Sequence, residues 1–187
     1  MKGIIFNLLE HAVIKAHGPK TWKALVTQTG LARPYAAAGN YPDSEMIQFV
    51  GAAAHLLNTS VADVLRWFGR EAISHLSTRY SHFFAPHKST STFMLTINDA
   101  IHADVRKIYP DADLPTFDFL ESTPNRVVLA YRSARRLCAL AEGFIAGAAS
   151  HFGEDATIVH PTCMLRGDDR CVLECTFEPR RGGERGA

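Results

Sequence analysis

The chain has 187 residues, with 20 basic and 19 acidic side chains and a formal net charge of +1. That balance gives no electrostatic case for a nucleic acid or an anionic membrane surface as partner. A hydrophobic content of 47% suits a globular chain with a substantial core. No run approaches the ~20 apolar residues of a membrane span. Residues 1–16, interrupted by Asn7, Glu10 and His11, lack the continuous apolar stretch of a secretion signal. A cytoplasmic protein is expected, its four cysteines (Cys138, Cys163, Cys171, Cys175) reduced or metal-bound rather than disulfide-paired.

The first two-thirds of the chain carry helical periodicity. Ile4, Ile5, Leu8, Leu9 and Ala12 mark one helix, and Trp22, Leu25 and Val26 a second that stops at Gly30. Asp43 or Ser44 is placed to cap a third, which carries Met46, Ile47, Val50, Ala54 and Leu57. Ser60 and Asp63 form a capping-box pattern opening a helix over Val61 to Phe68. Further helices are predicted over about 70–84, ended by Pro86, and over about 90–109, ended by Pro110. Beyond Pro110 the period changes. Residues 116–122 and 126–133 read as a hairpin about Thr123-Pro124-Asn125, 136–152 as a helix, and 156–165 with 170–177 as a second hairpin. The expected fold is α+β: a helical lobe over about 1–64, then a β-β-α-β-β lobe with an antiparallel sheet over about 65–178, and a disordered tail over 179–187.

His102 follows the core position Ile101 at the edge of an apolar helix face. One reading is a partly buried histidine bonded to a carbonyl or to solvent. The other is an axial haem ligand, since a neutral imidazole facing an apolar slot supplies one strong bond to ferrous iron and leaves the opposite face open to gas. No Cys-x-x-Cys-His is present, so such a haem is held without covalent attachment. Tyr131, Ser133 and Arg135 stand at alternate positions, offering a phenol, a hydroxyl and a guanidinium to a pair of carboxylates. A solvated strand end is the plainer alternative.

The opening Met1-Lys2-Gly3-Ile4-Ile5, His102 before the β region, Pro115, and Tyr131-x-Ser133-x-Arg135 together resemble the haem-nitric oxide/oxygen binding (H-NOX) family, which includes the haem domain of soluble guanylate cyclase and stand-alone bacterial gas sensors. The resemblance spans about residues 1–178. It implies a haem b between the two lobes, with His102 as the proximal iron ligand and Tyr131, Ser133 and Arg135 holding the propionates. Pro115 would press on the porphyrin, and Ile5 would line the distal side. It also implies a sensor rather than an enzyme, signalling to a separate histidine kinase or cyclic-di-GMP enzyme.

Ligand choice depends on the distal wall. Members that hold oxygen place a tyrosine where this chain has Leu140, within the apolar run Leu137, Leu140, Ala141, Phe144, Ile145. Ala72, Ile73 and Leu76 also lack a donor, and His75 is the one residue nearby that has one. Nitric oxide and CO are therefore the expected ligands, with poor oxygen binding.

Cys138, His160-x-x-Cys163 and Cys171 offer one imidazole and three thiolates, a set suited to a closed tetrahedral zinc site, against buried thiols as the alternative. A subset of H-NOX proteins carries zinc on a similar pattern, which implies Zn²⁺ here. Cys175, four residues after Cys171 on the same strand face, is expected to exchange with it or to pair with it on oxidation. Two competing functions follow from these residues. One is a zinc-thiolate redox sensor with a secondary haem. The other is a haem peroxidase, which needs a distal acid-base pair such as His75 with Arg70 or Arg79.

Overall fold

The computed structural model describes residues 1–180. The N-terminal part is helical: α1 (Gly3–His17), α2 (Pro19–Thr29), α3 (Asp43–Leu56), α4 (Val61–Arg79), the short α5 (Ser81–Phe84) and α6 (Thr90–Met94), a π-helical segment (Ile97–His102), and α7 (Ala103–Ile108). Then come β1 (Thr116–Thr123), β2 (Arg126–Arg132), α8 (Cys138–His151), β3 (Glu154–Thr162), a short 3-10 turn at Met164–Arg166 and β4 (Cys171–Pro179). The strands form one antiparallel sheet in the order β1-β2-β4-β3. This is the α+β arrangement that the change of period at Pro110 predicts.

Helix α8 holds the two halves together. Its sequence, CALAEGFIAGAASH, is apolar on nearly every face, as a helix enclosed on all sides must be. Leu140 joins the core of α1 to α4 with Phe6, Phe49 and Phe68, whereas Ala141, Ile145 and Ala149 join the sheet core with Val127, Leu129 and Leu173. Small residues let α8 lie directly on α4. A Cβ added at Gly69 would stand 2.6 Å from the Leu140 carbonyl oxygen, and one at Gly143 would overlap the Arg66 carbonyl. Gly143→Ala is therefore expected to destabilise the fold by about 1–3 kcal/mol through overpacking. Thermal unfolding reads this as a fall of about 2–4 °C per kcal/mol.

Several boundaries differ from the expected ones. Gly69 does not divide the 61–84 region; α4 runs through it for 19 residues, because the glycine serves the contact with α8. The Ser60 cap is present, with its Oγ accepting from the Asp63 amide at 3.0 Å. Asp43 is the first residue of α3 and does not cap it; its carboxylate meets the N-terminal ammonium at 2.8 Å and Arg135 at 2.9 Å instead. The single helix expected over 90–109 is divided. The Thr96 hydroxyl donates to the Phe93 carbonyl at 2.8 Å, and the Asn98 amide to the Phe117 carbonyl of β1 at 2.6 Å. The turn between them widens to a π-helix, a device that commonly re-aims side chains at functional sites. Arg136, at φ +51, delays the start of α8 to Cys138. At the C-terminus, Pro179 pairs with Glu154, and Arg180 donates to Gly153 and Asp155, so these two residues are ordered rather than part of a tail. The expected disorder of 181–187 lies outside the described residues.

Candidate functional site

A cavity of about 790 Å³ lies between the helical part and the sheet. That is within the range of about 300–1,000 Å³ typical of cofactor sites. Its walls include Ile5, Ile73, Leu76, Ile101, His102, Pro115, Phe117, Leu140 and Phe144. His102, the last residue of the π-helical segment, is carried into it by the same turn that Asn98 ties to β1. Its ring lies 5.7 Å from that of Phe117. Burial, with Arg106 adding a smaller push, lowers its pKa to about 4, so the imidazole is neutral at physiological pH and free to donate a lone pair. Nδ1 is closed off from solvent with no hydrogen-bond partner among the described residues, which leaves Nε2 to the cavity.

Three polar side chains converge at the mouth of the cavity. Tyr131 ends its wall on β2, and burial raises its pKa to about 12, so the phenol keeps its proton as a donor. Ser133 and Arg135 follow the end of β2 in a turn, where Ser133 Oγ accepts from the Arg135 amide at 3.2 Å. The three residues meet through this turn rather than by lining one side of an extended strand. Arg135 Nε donates to Asp43 at 2.9 Å, and Nη1 to the Asp113 carbonyl at 2.5 Å and its carboxylate at 3.0 Å. Burial pushes the Asp43 pKa up, but the N-terminal ammonium and Arg135 outweigh it and hold the carboxyl below its ordinary value. A guanidinium has five donors. The two on Nη2 make no hydrogen bond within the described residues, and Tyr131, which bonds with the Ser133 side chain and the Leu137 backbone, lines the same cavity with Ser133 and Arg135.

The opposite wall is apolar around Leu140, 7% exposed, with Ile5, Ile73, Leu76 and Phe144 beside it. Ala72 sits in the α1–α4 core instead of lining the cavity. His75 also points elsewhere, into a separate polar pocket between α1 and α4 with Lys15, Glu71 and Arg79, its ring 4.5 Å from that of His11. The large cavity is thus not lined by the acid-base pair expected for a peroxidase, since neither His75 nor Arg70 nor Arg79 lies on its wall. Tyr80 and His82 line the cavity from the corner between α4 and α5, His82 being exposed.

A second constellation lies on the far side of α8. One ligand atom each from Cys138, His160, Cys163 and Cys171 falls within 4.8 Å of the others. The Sγ atoms of Cys138 and Cys163 are 3.7 Å apart, and those of Cys163 and Cys171 4.0 Å. Tetrahedral coordination with Zn–S bonds of about 2.3 Å requires sulfurs about 3.8 Å apart. His160 donates or accepts through Nδ1 at 2.7 Å from Glu142, and its Nε2 is buried with no partner. The Met164 amide donates to Cys171 Sγ at 3.4 Å, a bond that favours a thiolate. Burial and the neighbouring sulfurs push Cys138 up to about 12, so the free thiol keeps its proton until a cation displaces it. Cys175 is fully buried in the same core cluster, but its sulfur is not among the four gathered ligand atoms. Strand residues four apart stand about 13 Å from each other, whereas a disulfide needs Cα atoms within about 7 Å. Neither ligand exchange nor pairing with Cys171 fits an intact β4.

Asp113, Glu142 and Arg66 are not singled out by the sequence, and Asp43 is singled out only as a helix cap. Glu142 alone left a signal, a lone carboxylate in an apolar helix one turn after Cys138.

Residues 2–160 match the sequence family described as haem-NO-binding. A search of curated proteins finds no match. Among solved structures, the chain is 35% identical to an H-NOX protein from S. oneidensis in the Fe(II)NO ligation state, with a TM-score of 0.87 over 95% of this chain and 99% of that one. It is 28% identical to the unliganded Fe(II) H-NOX protein from K. algicida, with a TM-score of 0.84 over 98% and 100%. It is 26% identical to the H-NOX of Shewanella woodyi in the Fe(II)CO state with IWP-051 bound, with a TM-score of 0.80 over 100% and 99%.

Proposed function

The chain belongs to the haem-NO-binding (H-NOX) family, and from that premise we propose that it is a nitric oxide sensor whose haem iron is held by His102. The observation that carries the proposal is the neutral imidazole of His102, without a hydrogen-bond partner at Nδ1 among the described residues, on a cavity that Tyr131, Ser133 and Arg135 also line. Haem bound in that slot would be held by His102 and would supply an iron able to take up a diatomic gas.

The residues then do the rest. Nδ1 of His102 has no protein acceptor, and an acceptor there is what raises the basicity of a ligating histidine. A bond made by Nε2 would be correspondingly weak and suited to release, and a released His102 would leave the π-helical segment tied to β1 through the bond from Asn98 to the Phe117 carbonyl. Pro115, on the cavity wall, would press on a cofactor held there. Arg135 joins the mouth to Asp43 at the start of α3, so a shift there reaches the helical part directly. A few kcal/mol of difference between the two arrangements is enough to move their populations. We infer that the signal passes to a separate histidine kinase or cyclic-di-GMP enzyme, and that the chain is itself no enzyme.

The S. oneidensis relative takes nitric oxide and the S. woodyi relative takes CO. The apolar wall around Leu140 supports the same choice here and disfavours oxygen, whose bound form needs a hydrogen-bond donor. The test is to expose the reduced protein in turn to nitric oxide, CO and air. Complexes with the first two and no stable oxygen complex are expected; a stable ferrous-oxy spectrum contradicts the reading. Leu140→Tyr places a donor on that wall. It is expected to raise oxygen affinity about tenfold or more, the effect of one bond of about 1.5–3 kcal/mol, measured as slower oxygen dissociation.

The sulfur spacing and the open Nε2 of His160 favour a second, compatible reading, that Cys138, His160, Cys163 and Cys171 bind zinc. A zinc-thiolate redox sensor with a secondary haem is distinguished by signalling that tracks cysteine oxidation and survives loss of nitric oxide binding.

A further inference from the structure

Glu142 is a carboxylate only 8% exposed in the middle of an apolar helix. A buried charge is tolerated when its oxygens are satisfied, and both of these are. Oε1 lies 2.7 Å from His160 Nδ1 on β3, and Oε2 accepts from Arg66 Nε on α4 at 2.6 Å. The chain of bonds continues. Arg66 Nη1 donates to Asp63 at 3.0 Å, and Asp63 accepts from the Ser60 hydroxyl at 2.6 Å, which itself caps the start of α4. Beside this chain the backbones of α4 and α8 touch through Gly143, with no room for a Cβ. Three elements of the fold are thus joined at one carboxylate.

We propose that Glu142 is a positioning residue for the metal cluster, and that through Arg66 it makes occupancy of the cluster felt along helix α4. The inference rests on the zinc reading above. For His160 to offer Nε2 to a metal, its proton must sit on Nδ1, and Glu142 Oε1 is the acceptor that holds it there. A cation on Nε2 makes the Nδ1 proton a stronger donor and draws Glu142 toward His160. Arg66, bonded to the other oxygen, follows, and with it the first two turns of α4. Ile73 and Leu76, farther along the same helix, line the large cavity. The cluster therefore has a physical route to the cavity wall that leaves the sheet at His160 and runs through α8 and α4.

The test uses the haem-loaded protein, zinc as the metal and a coloured chelator as competitor. Glu142→Ala is expected to weaken zinc binding about 10–100-fold, while Glu142→Gln, which keeps an acceptor for Nδ1, loses less. Arg66→Ala is expected to retain zinc, but zinc no longer slows amide exchange over residues 62–68 as it does in the unaltered protein. Exchange at α4 that ignores zinc in the unaltered protein overturns the relay. So does unchanged zinc affinity in both Glu142 variants, and the glutamine variant decides should the alanine variant fail to fold. An unaltered protein that takes up no zinc overturns the metal site itself and the relay with it. Tight zinc binding with unaffected Glu142 variants overturns the relay alone.

Discussion

Replacing His102 by alanine is expected to weaken haem retention about 100-fold or more, equivalent to about 2.7 kcal/mol, while leaving the haem-free chain as stable as before or more so. The two halves of this expectation have one cause. The imidazole contributes little to the fold: its Nδ1 is buried without a partner, and burial lowers its pKa to about 4. An unsatisfied buried group costs about 1–3 kcal/mol, and alanine removes it. A residue that sacrifices stability in this way is held for function. Haem titration and thermal unfolding of the haem-free variant measure the two halves separately. A variant that unfolds several degrees earlier and still binds haem normally would make His102 a core histidine and nothing more.

On the zinc reading of the cysteine–histidine cluster, removing the metal is the second large effect expected. The four ligand atoms are already gathered by β3, β4 and α8, so the metal closes a site that exists and need not build it. Zinc present at about 1,000 times its Kd stabilises the folded state by about 4 kcal/mol. At 2–4 °C per kcal/mol for a chain of this size, removal is expected to lower the melting temperature by about 8–16 °C. Cys171→Ser, which replaces one fully buried sulfur ligand, should show a similar loss that added zinc does not restore. Protein purified without chelator, well folded and free of zinc, would remove the site.

How far the sequence revealed these features depends on their range. The change of period at Pro110 and the Ser60 cap are local, and each is legible in a window of a few residues. The proposed roles of His102, Tyr131, Ser133 and Arg135 are legible only in combination, since each has an ordinary structural reading alone. The network that holds Arg135 was not legible at all, because Asp43 lies 92 residues away in the chain. His75 was ambiguous for another reason. Helix α4 is packed on two sides, and the spacing of its apolar residues does not tell which side faces the cavity; the structure turns His75 toward His11. For Cys175 the strand face was right and the distance was not, since sharing a face of a strand over four residues places side chains too far apart to react. The π-helical segment depends on Thr96 and on a bond from Asn98 to β1, and helical periodicity carries no sign of either.

The central claim is that His102 binds the haem iron and lets go when nitric oxide arrives. Resonance Raman spectroscopy of the reduced protein, before and after nitric oxide, tests it most directly. The account predicts an iron–histidine stretching band before the gas is added and its disappearance afterwards. A band absent from the start, or one that persists unchanged in the nitric oxide complex, would contradict it.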